Sequence, residues 1–187
     1  IPLIILKVLI IFTLLLFLVI PIITIAILIK LDSTGPIIHW SKRIGLNNKV
    51  FLMPKFRTMK ANTKNVATHL LDNPKDKITK IGFFLRKTSL DEIPQIYSII
   101  MNQMNFIGPR PALYNQYDLI DLRTKKNIHK IKPGITGLAQ VEGRDDLSIK
   151  KKVEYDYAYY KNNNFKINLI IIFKTLKNIV ISKNVKH

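Results

Sequence analysis

The 187-residue chain contains no cysteine, which excludes a disulfide framework and any thiolate metal centre. Its four histidines, His39, His69, His129 and His187, form no metal-ligand spacing and read as surface residues. Acid is scarce: twelve Asp and Glu against thirty Lys and Arg leave a formal charge of +18. From Ser33 to Leu71 there is no acid at all, against seven cations (Lys42, Arg43, Lys49, Lys55, Arg57, Lys60, Lys64). Such an excess calls for an anionic partner: nucleic acid, an acidic membrane surface or a phosphorylated substrate. Also missing are an internal repeat, a Walker loop, a dinucleotide fingerprint and an aromatic RNP strand. The last absence argues against nucleic acid.

What the chain does have is a long apolar start. Residues Ile1 to Ile29 carry one charge, Lys7, and the run Val8 to Ile29 holds nothing more polar than Thr13 and Thr24. As a helix this run would extend about 33 Å, enough to cross a bilayer core. No small-residue cleavage site follows it, so a retained membrane segment is expected rather than a signal peptide. Pro21 interrupts the run, and two geometries are open: a spanning helix, bent or straight, or a broken helix that enters and leaves by the same face. In both, the basic block after Lys30 belongs on the cytoplasmic side. The expected organisation is a membrane anchor over residues 1–30 and a catalytic domain over 31–187.

The remainder reads as mainly α with short β pieces, an α+β fold. Pro36 to Trp40 and Lys49 to Met53 are short extended segments between turns at Gly35-Pro36 and Leu46-Asn47-Asn48. Trp40 suits a headgroup layer. The cluster Lys55-Phe56-Arg57-Thr58-Met59 is dense enough in cations to clamp a phosphate. Residues 62–77 read as a surface loop with a short helix at most, and 113–131 have helical texture. The glycine-rich stretch from Lys132 to Arg144 is similar to an anion-binding nest. Residues 145–164 form a Tyr-rich helix ending at Asn162-Asn163-Asn164. Ile167 to Ile181 is an apolar helix flanked and interrupted by lysines, which suits either a membrane interface or a domain core.

The chemistry is expected in Ile78 to Pro111, centred on Asp91-Glu92. Ser89 to Glu92 has the capping-box spacing, and acids favour helix starts, so helix capping is one reading. Pro94 leaves the register open, since Asp91 could be the cap instead. In the other reading one carboxylate attacks phosphorus while its neighbour holds a divalent cation. A helix start next to Arg86 and Lys87 would depress the pKa of the attacking group. Arg110, between Pro109 and Pro111, is held extended and suits phosphate recognition.

The ordered series KLDSTGP, KFRTM, TKIGFFLRKTSLDEIPQ, MNFIGPRP and KPGITGLAQVEGR, after an apolar helix with a central proline, resembles the bacterial sugar transferase family, the monotopic phosphoglycosyl transferases. The resemblance covers nearly the whole chain. It implies Asp91 as covalent nucleophile, Glu92 as ligand of Mg²⁺, and Arg86, Arg110, Lys55 and Arg57 as substrate-binding cations. It further implies transfer of a sugar-1-phosphate from a UDP-sugar to a polyprenyl phosphate in the cytoplasmic leaflet of a bacterial membrane, beside a re-entrant N-terminal helix. Monomer and homodimer are both compatible with it. Three positions depart from the family pattern: Ile20 replaces the serine before Pro21, and Leu138 and Glu142 stand where Trp and Asn are common. The competing class is a non-catalytic, membrane-tethered basic module binding acidic lipid or nucleic acid, which would be indifferent to changes at Asp91.

Overall fold

Helices and short strands alternate along the chain as expected for an α+β fold. The computed structural model describes residues 19–61, 63, 74–143 and 146–181. Its elements are α1 (19–32), β1 (Ile38–Ile44), β2 (Val50–Phe56), α2 (Pro74–Lys77), α3 (Lys80–Thr88), a 3-10 segment Leu90–Gln95, α4 (Ile96–Ile100) and β3 (Asn105–Ile107). There follow α5 (Tyr117–Lys125), β4 (Gly134–Thr136), α6 (Leu138–Glu142), α7 (Ile149–Asn162) and α8 (Phe165–Ile181). Residues 8–18 of the apolar run, and most of the 62–77 loop, lie outside the described residues. Among those described, no helix is long and apolar enough to cross a membrane.

Helix α1 divides its apolar residues between two stripes. Ile22, Ile25 and Ile29 pack with Phe56 and Leu85, at the spacing of one helix face. Ile20, Ile23, Ile27 and Leu31 are exposed. The inner stripe continues to Asp32, whose Oδ2 accepts the Ile81 N–H at 3.0 Å. Together with Thr79, which accepts from Gly82 N at 3.0 Å, it satisfies two of the open donors at the start of α3. A Cβ on Gly82 would lie 2.1 Å from the Thr58 carbonyl oxygen, so only glycine lets α3 approach the end of β2 this closely.

The antiparallel β1–β2 hairpin pairs Ile38 with Phe56 and Ile44 with Val50. Its turn uses Asn47 and Asn48 at positive φ, a conformation asparagine tolerates. Alternation along β2 sends Phe56 toward α1 and α3, while Phe51 and Met53 pack with Met104 and Ile99. The latter face carries Lys55 toward the 3-10 segment.

Strand β4 runs parallel to β3, pairing Gly134 with Asn105 and Thr136 with Ile107. A Cβ on Gly134 would meet Gly108 N at 2.1 Å, so the glycine-rich stretch serves close backbone contact. Its amides are used for this: Gly134 N donates to Pro109 O at 3.0 Å, and the N–H groups of Gln140 and Val141 donate to Gly137 O. These three amides are taken internally, and Arg144, at the end of the stretch, lies outside the described residues.

Helix α7 begins at the capping Ser148 and buries Val153 against Ala112, Leu119 and Ile128. Asn164 caps α8 by accepting from Ile167 N at 3.0 Å. Along α8, Ile171 is fully buried, with Ile167 beside it in the same cluster, whereas Phe165, Leu169, Ile170, Ile172, Phe173, Leu176 and Ile179 are exposed. A domain-core role thus accounts for only one stripe of this helix. Helical texture over 113–131 resolves into α5 and a 3-10 turn at Ile128–Lys130, divided at Asn127, which has a φ of 60°.

The turn after α1 is held by Arg57, which is 5% exposed. Its Nη2 donates to Ser33 O at 2.7 Å and Ser33 Oγ at 3.0 Å, and its Nη1 donates to Thr34 O. Arg57→Ala removes these bonds, and should lower stability by about 1–3 kcal/mol, read as a lower denaturation midpoint at unchanged m value.

Candidate active site

Four of the six side chains singled out from the sequence converge. Lys55 reaches from β2, Asp91 and Glu92 from the 3-10 segment, and Arg110 from the Pro-Arg-Pro loop. Pro94, which lacks an N–H, lies inside that segment, and α4 begins only at Ile96. Ser89 does not form the capping box. It ends α3 at a φ of 58° and its side chain makes no cap bond, while the Glu92 carboxylate turns toward cations.

Lys55 Nζ donates to Glu92 Oε1 at 3.1 Å. Arg110 spans both oxygens of the same carboxylate, with Nη2 at 2.6 Å from Oε1 and Nη1 at 3.4 Å from Oε2. Asp91 is treated differently. Its side chain is 9% exposed and its nearest cation among the described residues is Lys55, 3.9 Å from Oδ2; no hydrogen bond to Asp91 is formed among these residues. Arg86 adds positive potential at Asp91 while its Nε donates to Thr58 Oγ1 at 2.8 Å.

Burial raises the pKa of Asp91, assisted by the neighbouring Glu92; Lys55, Arg110 and Arg86 oppose the shift without cancelling it. The expected depression is therefore reversed, because desolvation of a carboxylate outweighs the attraction of cations that do not hydrogen-bond to it. Burial likewise lowers the pKa of Lys55, against the pull of Glu92. Arg43, on β1, is pushed down to about 9 by burial and then by Arg110, and stays protonated at neutral pH.

Arg57, expected beside Lys55, lies apart from this cluster. Strand β2 ends at Phe56 and the two-residue alternation ends with it, so Arg57 turns to the 33–34 carbonyls instead. Sequence reasoning missed three charged residues around Arg110. Arg43 Nη1 donates to Pro111 O at 3.1 Å, and Arg123 Nη1 donates to Arg110 O at 2.8 Å. Asp156 takes both Nε and Nη2 of Arg123 on Oδ2, at 3.0 and 2.6 Å. The available signal was an acid three residues after Val153 on the buried face of α7. The two departures in the glycine-rich stretch face α8: Leu138 packs against the cluster that holds Ile171, and Glu142 accepts from Lys174.

A cavity of about 290 Å³ adjoins Glu92 and Arg110. Ile93, Ile96, Phe106, Ile135, Val141 and Ile179 line it. In its polar lining Thr136 and Thr175 share a hydrogen bond and Asn178 Nδ2 donates to Val141 O, whereas the buried Gln140 Oε1 has no partner among the described residues.

Because the Asp91 pKa is raised, its protonated form is the better accommodated one. Its contribution to stability is full below the unfolded value, about 3.9, and is lost as pH rises through the folded value. Asp91→Asn should therefore melt no lower than the parent at pH 7. A clear fall in Tm would contradict the desolvation argument.

Known proteins place this site in context. The sequence profile described as bacterial sugar transferase matches residues 4–182. The exopolysaccharide production protein ExoY of Sinorhizobium fredii is 34% identical over 83% of this chain and 75% of its own length. The UDP-glucose:undecaprenyl-phosphate glucose-1-phosphate transferase of Escherichia coli is 39% identical over 88% of this chain and 37% of its own. The UDP-N-acetylgalactosamine-undecaprenyl-phosphate N-acetylgalactosaminephosphotransferase of Aeromonas hydrophila is 34% identical over 83% and 38%. The chain thus spans three quarters of the first relative and little more than a third of the other two. With the profile matched almost end to end around the Asp91-Glu92 pair, the chain belongs to the bacterial sugar transferase family.

Proposed function

We propose that the chain transfers a sugar-1-phosphate from a UDP-sugar to undecaprenyl phosphate at a membrane surface, with Asp91 as the covalent nucleophile. The observation that carries this is the unequal treatment of two adjacent carboxylates. Glu92 is neutralised by Lys55 and Arg110, whereas Asp91 is desolvated and makes no hydrogen bond among the described residues. When ionised, a carboxylate that has shed its hydration without gaining donors is more basic, and a stronger nucleophile, than one held by a cap, and Lys55, Arg110 and Arg86 favour that ionised form.

An Asp91 oxygen attacks the phosphorus that bears the sugar, and the bond to the bridging oxygen breaks, so that UMP leaves with the electron pair. A phosphate oxygen of the lipid then attacks the same phosphorus. The Asp91–phosphorus bond breaks, the carboxylate is restored and a polyprenyl diphosphosugar is released. Lys55, Arg86 and Arg110 supply fixed positive charge where these anions meet.

The site also suits Mg²⁺ by donor type, since that ion commonly takes one or two carboxylates together with substrate phosphates. Among the described residues no group of three or more His, Asp or Glu gathers that could form a closed cage, so Glu92, with Asp91 beside it, would be the protein's contribution. When bound, the ion would neutralise charge on the diphosphate oxygens.

The exposed apolar stripes of α1 and α8 suit a membrane interface, with Lys166, Lys174 and Lys177 of α8 near anionic headgroups. The Trp40 ring, edge-on to Tyr97 at 5.7 Å, suits the same layer. The mostly apolar cavity receives the isoprene units nearest the lipid phosphate, which places the acceptor head beside Arg110. The re-entrant course of the N-terminal helix and the cytoplasmic orientation belong to this same proposal.

With Mg²⁺ and undecaprenyl phosphate, either UDP-glucose or UDP-N-acetylgalactosamine should yield UMP. Asp91→Asn should reduce turnover by about 10⁴-fold or more and abolish a phosphosugar adduct trapped on the parent without lipid; retained turnover refutes the scheme. Chelation of Mg²⁺ should stop UMP release yet leave Tm unchanged, because Lys55 and Arg110 already neutralise Glu92.

A further inference from the structure

The Pro-Arg-Pro loop cannot hold itself. Pro109 and Pro111 have no N–H, so the loop presents acceptors that other elements must satisfy. Pro109 O takes the Gly134 amide at 3.0 Å and Pro111 O takes Arg43. The carbonyl of Arg110 itself takes Arg123 Nη1.

Arg123 reaches that carbonyl from α5 because Asp156, from α7, engages the other side of its guanidinium. Asp156 is 1% exposed, and the pair is expensive to desolvate. Apolar side chains of similar volume are often no less stabilising than such a buried pair. They would not satisfy the Arg110 carbonyl. One turn further along α7, the single proton of Tyr159 Oη is shared between Asn168 Oδ1 at 3.1 Å and Ile107 O at 3.4 Å. Helix α7 therefore meets both ends of the segment 107–110, directly at one end and through Arg123 at the other.

We propose that Asp156 and Arg123 are positioning residues for the reaction. The buried pair fixes the backbone of Arg110 so that its guanidinium spans the Glu92 carboxylate, and the precision of the catalytic cluster is set from α7. Arg123 makes no hydrogen bond to Asp91 or Glu92 among the described residues; it acts through Arg110. The activity arm of the test rests on the proposed transferase reaction, whereas the exchange arm does not.

The experiment compares Asp156→Asn and Arg123→Lys, each in the parent and in an Arg110→Ala background. UMP release is measured against UDP-glucose or UDP-N-acetylgalactosamine with undecaprenyl phosphate, and amide hydrogen exchange is followed over residues 107–116. Arg123→Lys keeps the charge beside Asp156 and loses the fork, so it remains informative if Asp156→Asn does not fold. In the parent, each variant should lower kcat about 10- to 100-fold, with KM for the UDP-sugar changed less than kcat. In the Arg110→Ala background neither should lower it further, and exchange over 107–116 should accelerate while the α8 amides keep their protection. Equal losses in both backgrounds would overturn the proposal. So would unchanged exchange over 107–116, whether or not the protein turns over a UDP-sugar.

Discussion

Burial of two adjacent carboxylates is the constraint around which this protein is built. Asp91 and Glu92 are 7% and 8% exposed, and neighbouring anions withdrawn from water need compensating charge from elsewhere in the chain. It comes from three places: Lys55 at the end of a strand, Arg110 between two prolines and Arg86 at the end of a helix. Because Lys55 and Arg110 both settle on Glu92, Asp91 keeps an uncompensated desolvation cost, seen in its raised pKa. A site of this kind costs stability.

The cations are placed by backbone contacts that admit no alternative side chain. Gly82 lets α3 approach Thr58, and Thr58 in turn receives Arg86. Gly134 lets β4 approach Gly108, from which the Pro-Arg-Pro loop departs. These approaches are closer than any Cβ permits, so the geometry of the charged cluster is anchored in the backbone.

The same elements present apolar surface outward. The inner stripe of α1 packs on Phe56 and Leu85 and ends in Asp32, which receives the first turn of α3, while its outer stripe is exposed. Helix α8 closes one wall of the cavity through Thr175, Asn178 and Ile179, with Phe173 and Leu176 exposed beside it. Displacing either helix would be felt at the cations within one or two contacts, so these exposed apolar surfaces are mechanically continuous with the site.

What could be read from the chain alone was whatever depends on local order or on residue type. Acid scarcity, the short extended pieces Pro36 to Trp40 and Lys49 to Met53, the turn at Asn162-Asn163-Asn164 and the Asp91-Glu92 pair beside basic residues are of this kind, and they suffice for an α+β fold and a charged centre. Tertiary structure decided the rest, because it turns on which partner each group meets. Ser89 and Glu92 have capping-box spacing, yet Lys55 and Arg110, distant in the chain, draw Glu92 away. Arg57 sits two residues from Lys55 but beyond the end of β2, where it meets the 33–34 turn. The pKa direction of Asp91 follows from burial, which no local pattern reports. Asp156 shows the limit most clearly: one acid on a tyrosine-rich helix has no stated purpose until folding sets it against Arg123. Residue type determined which charges were available, and long-range packing determined which of them would be neutralised, because desolvation and pairing depend on distances that only the folded chain defines.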